Sequence, residues 1–167
     1  METSAATPAT ISSRQMLRHA VATVAYRGGK ALRDAPEAFA TFKIAEKSRT
    51  PGQILAHICD LYDWALSCAR GQQQWHESKP LPWPQEVRRF FDSLKAFDNY
   101  LASDAPLGYP AERIFQGGIA DSLTHIGQIA MLRRLAGCPI RGENYFRAHI
   151  TAGSVGQEQP APVQEFD

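Results

Sequence analysis

Apolar residues recur at helical spacing in four stretches of this chain, and capping or turn residues bound each stretch. The first stretch begins at Ser12, which has the capping-box spacing to Gln15, and the pair Gly28-Gly29 is expected to weaken or end it near its C-terminus. The second begins at Thr50-Pro51, a favoured N-cap followed by proline at the first helical position, and ends near Gly71. The last two are expected over about residues 84–102 and 111–136.

Four amphipathic helices with short breaks predict an all-α fold, a four-helix bundle with up-down topology. The longer connection after the first helix is compatible with a crossover, and its stretch F-A-T-F-K-I-A, residues 39–45, alternates weakly as an extended segment would. Residues 1–10 are polar and expected to be disordered, 11–150 to form the helical bundle, and 151–167 to be an irregular C-terminal tail.

Composition and charge exclude several classes of protein. The chain has 18 basic and 17 acidic residues, so it lacks the basic excess of a nucleic-acid-binding surface. No apolar run approaches the roughly 20 residues of a membrane span, and the N-terminus lacks the pattern of a secretion signal. The three cysteines are odd in number and have no C-x-x-C spacing, which argues against a disulfide framework or a thiolate zinc site. A cytoplasmic protein is the expectation.

Three polar side chains interrupt the apolar stripes of the predicted helices. His57 lies on the inward stripe of the second helix, and Asp121 and His125 lie four residues apart, on one face of the fourth. Buried polar groups of this kind cost free energy unless something pairs with them. A divalent metal would pair with all three and keep positions open for water or substrate. Zinc, nickel and iron(II) all accept two imidazoles and a carboxylate.

A simpler interpretation remains open at this point. Asp121 and His125 could form a hydrogen-bonded pair on one helix, and His57 could be a core residue. Asp60, one turn after His57, is a candidate base or hydrogen-bond acceptor for the histidine, or a surface charge. Glu143 could fold back over the site as a ligand or base. The pair Gly117-Gly118 could leave room for a ligand or permit close helix packing.

Two segments resemble the DinB/YfiT-like superfamily. They are T-P-G-Q-I-L-A-H-I-C-D-L-Y-D-W-A-L around His57 and D-S-L-T-H-I-G-Q-I-A-M-L-R-R-L-A-G around His125, and P-I-R-G-E-N-Y-F in the tail is similar to one branch of that family. The resemblance covers about residues 11–150. It implies a four-helix bundle, often dimeric, with a divalent metal held by three ligands, here His57, Asp121 and His125. Asp121 stands where histidine is commoner in the family, and a carboxylate makes the site harder and more negative.

The first functional hypothesis is therefore a metal-dependent enzyme, a thiol-dependent transferase or a hydrolase acting on a small-molecule substrate, in a homodimer. Asp60 and Glu143 are its candidate catalytic residues. The alternative is a non-catalytic bundle that holds a small ligand, for example in a stress response. A purely structural dimeric bundle is a third interpretation.

Overall fold

The computed structural model describes residues 11–167, and over this range the chain is mostly helical. The segment 1–10, expected to be disordered, lies outside the described residues. The helices are α1 (Ser13–Leu32), α2 (Pro51–Ala69), α3 (Trp83–Ala102), α4 (Ala111–Ile114) and α5 (Ala120–Leu135). The all-α class is confirmed. None of the described helices combines the length and apolar character needed to cross a membrane.

Side-chain caps begin the first two long helices where the sequence predicts. The hydroxyl of Ser12 accepts a hydrogen bond from the backbone of Gln15, whose side chain in turn accepts from the backbone of Ser12. Thr50 and Gln53 form the same reciprocal pair ahead of α2, with Pro51 at its first position. Each capping box satisfies backbone N–H groups that a helix start otherwise leaves unpaired.

The pair Gly28-Gly29 lies near the C-terminus of α1 but does not end it, because the helix continues to Leu32. Both glycines are buried. A Cβ added to Gly28 would lie 2.5 Å from the ring of Phe90, and one added to Gly29 would lie 3.5 Å from Phe91. Gly28 therefore lets α1 approach α3 closely, and that packing offsets the low helix propensity of glycine.

The paths of the helices follow from a few contacts. Arg18 and Gly28 of α1 meet Asp98 and Phe90 of α3, so these two helices run in opposite directions. In contrast, α2 and α3 run in the same direction. Asp60 of α2 contacts Arg89 of α3, and the later residue Tyr62 of α2 packs on the later residue Phe97 of α3. Two parallel helices that follow one another in sequence need a connection that returns along their length.

That returning connection is residues 70–82, and not the segment after α1. Its backbone runs beside α2 in the opposite direction: Gln74 donates to Ser67, and Ser78 donates to Asp60. The segment after α1 instead turns locally through a 3₁₀ helix, Glu37–Thr41, so the weakly alternating stretch 39–45 is not a strand. Phe39 is buried there against Trp83, which explains the apolar residues of that stretch.

The last long helix contains an irregular turn that the sequence pattern did not reveal. A π-helical turn, Phe115–Ile119, joins α4 to α5 without a break, and Ala120 donates its backbone N–H to the carbonyl of Phe115. Gly117 and Gly118 lie in this turn. A Cβ on Gly118 would lie 2.8 Å from Cβ of Ala65, so this glycine permits close packing on α2.

The C-terminal tail is irregular over most of its length. Its backbone pairs in one small antiparallel ladder, in which β1 (Gly142–Glu143) lies beside β2 (Glu165–Phe166) with Gly142 opposite Phe166. The core lies between the long helices. Its fully buried side chains include Val21, Ile58, Phe90, Phe97 and Ile129.

Candidate metal centre

The structure brings His57 of α2 together with Asp121 and His125 of α5. Nε2 of His57 lies 3.9 Å from Oδ2 of Asp121, and Nε2 of His125 lies 3.5 Å from Oδ1 of the same carboxylate. The imidazole rings of the two histidines are perpendicular, with centroids 4.8 Å apart. One potential ligand atom from each residue lies within 4.8 Å of the other two. The two helices thus aim three donor groups at one small region.

These donors lie at the rim of the helix pair rather than in its core. The side chains of His57 and His125 are 21% and 13% exposed, and that of Asp121 is 45% exposed. The expectation that Asp121 points into an apolar seam is therefore wrong. The antiparallel packing of α2 on α5, in which Tyr62 hydrogen-bonds to Ser122 at 3.0 Å, places the group beside the buried layer and open to solvent on one side.

The donor set fits a divalent transition metal. Ligands bound at about 2.0–2.1 Å in tetrahedral geometry lie about 3.4 Å from one another. The separations of 3.5 and 3.9 Å, which end on the two different oxygens of Asp121, are nearer to this value than to the 2.8 Å or so of a strong hydrogen bond between imidazole and carboxylate. Two neutral imidazoles and one carboxylate would leave one unit of positive charge on a divalent ion and positions free for a further ligand.

Gln128 orients one of the histidines. Its Oε1 lies 2.8 Å from Nδ1 of His125, one turn further along α5. When this oxygen accepts the Nδ1 proton, Nε2 keeps its lone pair, and Nε2 is the atom that faces Asp121. A partner of this kind fixes the tautomer and ring orientation of a metal-binding histidine. Gln128 follows His125 by three residues, and this i to i+3 spacing was the signal that could have identified it.

The environment of His57 favours its neutral form. Burial lowers the pKa of His57, and the neighbouring His125 and Arg49 lower it further, while Asp121 and Asp60 oppose this effect. The net result is a pKa below the ordinary value of 6.5. A neutral imidazole has a free lone pair, which is the form that binds a metal.

An open cleft of about 700 Å³ lies beside Asp121. Its walls are Trp64 and Leu61 of α2, Gly117 and Thr124 of the last helix, and Trp75 of the returning segment. The ring of Trp75 also lies edge-on to His57, with centroids 5.6 Å apart. No sequence pattern indicated that Trp75 would line the cleft and contact His57, because its position depends on the path of residues 70–82.

Asp60 is neither a surface charge nor a hydrogen-bond partner of His57. It is 1% exposed, and its carboxylate accepts hydrogen bonds from the backbone and hydroxyl of Ser78, both at 2.8 Å, and from Nη2 of Arg89 at 2.5 Å. Nε2 of His76 lies 3.0 Å from the same carboxylate. These partners hold the returning segment on α2 and occupy the oxygens that a base would need.

Asp60, Asp63 and His76 form a second group with metal-ligating side chains. The guanidinium of Arg89 already lies between the two carboxylates, 2.5 Å from Asp60 and 2.9 Å from Asp63. A permanent cation therefore already offsets part of the negative charge of this cluster, and we interpret the cluster as a structural ion-pair network. Sequence reasoning assigned His76 no role, and its spacing along the chain offers no signal for one.

Glu143 does not fold over the candidate centre. Its buried carboxylate accepts hydrogen bonds from the hydroxyl of Tyr26 at 2.6 Å and from Nζ of Lys30 at 2.8 Å, both on α1. Lys30 also binds Glu165 of β2 at 2.7 Å. The expectation of a ligand or base from Glu143 is replaced by a structural role, because this network ties the tail to α1.

Comparisons with known proteins identify no relative: no family model, curated protein or solved structure matches this chain.

Proposed function

We propose that this chain is a metal-dependent enzyme on a DinB/YfiT-like four-helix bundle, with a divalent transition metal, zinc, nickel or iron, bound by His57, Asp121 and His125. One observation carries the proposal: three donor atoms from two separate helices lie within 4.8 Å of one another at the edge of a cleft. Each of these residues lies on a helix rather than on a loop, which favours a fixed ligand geometry.

A simple hydrogen-bonded pair explains this arrangement less well. The Asp121–His125 distance of 3.5 Å is long for a hydrogen bond, and His57 from the other helix would have no reason to approach the same carboxylate. Burial and the neighbouring His125 disfavour protonation of His57, so direct ion pairing of His57 with Asp121 is weakened. A shared cation removes both difficulties.

The bound metal would supply a Lewis acid that lowers the pKa of a coordinated water or thiol. The residues of the chain have separate tasks. His57, neutral through burial, offers its lone pair, and Gln128 holds His125 in the matching tautomer. Trp75 shields one side of His57 from solvent, and the cleft beside Asp121 admits a small molecule to the open side. Thiol-dependent transfer and hydrolysis both fit this division of tasks.

The decisive experiment is the metal content of the protein purified without an affinity tag or added metal. We expect about one transition metal per chain by elemental analysis, and its loss in Asp121→Ala and in His125→Ala. His149→Ala is the matched control, because His149 is exposed and outside the metal-ligating group. Circular dichroism would show that each variant stays folded. A wild-type protein that is free of metal and takes up neither zinc, nickel nor iron would overturn the proposal.

A second candidate function is that of a non-catalytic protein that holds a small ligand on the same bundle. The observation that favours this function is that the carboxylates of Asp60 and Glu143 already accept hydrogen bonds from cationic or hydroxyl donors. Neither is free to act as a base. If the protein loads metal but turns over no thiol or hydrolytic substrate, the ligand-binding function is preferred.

We also propose that the chain forms a homodimer through α5. Met131 and Leu135, one turn apart on this helix, are 62% and 55% exposed, and Gly127 beside them has no neighbouring atom within 4 Å of an added Cβ. A second helix could approach closely there. Light scattering would give twice the monomer mass for the wild type and the monomer mass for Met131→Glu; a monomeric wild type would contradict the proposal.

A further inference from the structure

The cleft beside Asp121 continues into a second cavity. This neighbour has a volume of about 500 Å³ and shares Trp64, Gln116 and Gly117 with the first. From these shared residues it extends along α4 toward Arg113 and Tyr109. Together the two cavities form one groove, called here the α4–α5 groove, which runs from Asp121 to Arg113.

The lining of the groove is mostly apolar between its two charged ends, with Gln116 where the cavities meet. Asp121 is the charged residue in the lining of the first cavity, and Arg113 is the charged residue in that of the second. Within residues 11–167 Arg113 has no ion-pair partner, so its guanidinium is available to an external anion. Arg113 and Asp121 are eight residues apart on the continuous helix formed by α4, the π-helical turn and α5. This separation corresponds to a rise of about 12 Å along the helix axis.

Trp64 and Gly117 line the groove where the two cavities meet. A Cβ on Gly117 would lie 2.7 Å from the ring of Trp64, so the indole packs directly on the backbone of the π-helical turn. This contact forms the floor of the groove. An indole in this position favours contact with aromatic groups.

We propose that the α4–α5 groove binds an elongated, largely apolar organic anion. Its anionic group pairs with Arg113, its apolar body lies over the contact between Trp64 and Gly117, and its other end reaches the His57–Asp121–His125 centre. The position of that last end rests on the proposed metal-dependent function. The contacts at Arg113 and Gly117 do not, and they can be tested by themselves.

A matched pair of fluorescent probes tests the charge at the far end. Anilinonaphthalene sulfonate carries an anionic group on an aromatic body, and N-phenylnaphthylamine has the same body without the charge. We expect the wild-type protein to bind the sulfonate in a saturable way. Arg113→Gln should weaken the sulfonate about tenfold and leave the neutral amine unchanged, because a hydrogen bond to a charged group is lost. Arg113→Lys should retain most of the affinity.

Two further variants locate the probe. Gly117→Leu should weaken both probes, since the new side chain would displace the ring of Trp64 from the floor of the groove. Arg134→Gln removes the same charge from an exposed position of α5 outside the groove, and it should change neither affinity. Thermal unfolding of each variant would show that the fold is retained; should Gly117→Leu fail to fold, Arg113→Gln and Arg134→Gln still decide the outcome.

The proposal is overturned if the wild type binds neither probe, if Arg113→Gln leaves sulfonate affinity unchanged, or if Arg134→Gln weakens it equally. All titrations are repeated after chelator treatment. Unchanged dependence on Arg113 without metal supports the groove, whatever the outcome for the metal centre. Loss of sulfonate binding to a chelated protein that remains folded would place the anion on the metal and overturn the assignment to Arg113.

Discussion

Arg89 is the cation on which a buried acidic cluster depends, and its replacement by methionine gives the sharpest test of the fold. Its guanidinium contacts Asp60 at 2.5 Å, Asp63 at 2.9 Å and Glu86 at 3.2 Å. Asp60 and Glu86 are 1% and 0% exposed. Methionine keeps much of the apolar stem but removes the charge, so Arg89→Met leaves two buried carboxylates without their shared partner.

The contacts of Arg89 set the size of the expected loss in the free energy of unfolding. Removing one member of a buried ion pair costs about 3–5 kcal/mol, because the remaining charge stays desolvated. Asp60 keeps two hydrogen bonds from Ser78, and Glu86 keeps one from the backbone of Leu81. These remaining donors place the expected loss at the lower end, about 3 kcal/mol. That is a large part of the 5–15 kcal/mol or so by which domains are ordinarily stable.

The loss should depend on pH. Burial raises the pKa of Asp60, but the hydrogen bonds from Arg89 and Ser78 outweigh it and leave the pKa below the ordinary value of 3.8. A carboxylate with a lowered pKa contributes stability that is present above its unfolded-state pKa and is lost as the pH falls through its folded-state pKa. Without Arg89, burial dominates and protonation of Asp60 becomes easier. The difference between wild type and variant is therefore largest near neutral pH and smaller at about pH 4.

Urea unfolding followed by circular dichroism, at about pH 7 and about pH 4, measures both effects. Arg88→Met is the matched control, because Arg88 is the exposed neighbour of Arg89 and makes no ion pair within the described residues. It should change the free energy of unfolding by less than about 0.5 kcal/mol. A loss below about 1 kcal/mol for Arg89→Met, or an equal loss at both pH values, would refute the reasoning.

Three further outcomes are expected. Gly118→Leu should destabilise the protein by about 1–3 kcal/mol in thermal unfolding, since even its Cβ would lie 2.8 Å from Ala65; an unchanged melting temperature would contradict the packing described. Glu143→Gln should cost about 2–3 kcal/mol and speed hydrogen exchange in the tail, because the carboxylate accepts from a lysine and a tyrosine; unchanged exchange would argue against that anchor. In metal-free protein, NMR should show a pKa of His57 below 6.5, and Asp121→Asn should lower it further, because the negative charge favours the imidazolium; an increase would contradict this sign.

Local signals predicted most of the helices. The capping residues at Ser12 and Thr50 mark helix starts that the structure confirms. These signals act between residues three or four positions apart, so no knowledge of the chain path is needed. The role of Gly28 could not be decided in this way, because a helix interior and a helix end both accept glycine, and only the ring of Phe90 on another helix distinguishes them.

The candidate site likewise has features that local spacing predicts and features that only helix packing decides. The shared face of Asp121 and His125 follows from the helical repeat, and the position of His57 on an inward stripe follows from its own helix. Their proximity is a property of how α2 packs on α5. Asp60 shows the limit of local reasoning, because its partners Ser78 and Arg89 lie 18 and 29 residues away along the chain.

The amino-acid sequence by itself determined the helical class, the helix starts and the spacing of the three candidate ligands, since each depends on interactions within a turn or two of backbone. The tertiary structure alone decided that residues 70–82 return along α2, that Asp60 and Glu143 are committed to ion pairs, and that a π-helical turn packs Gly117 on Trp64. These features arise from contacts between residues far apart in sequence, whose free energy exists only once the whole chain is packed.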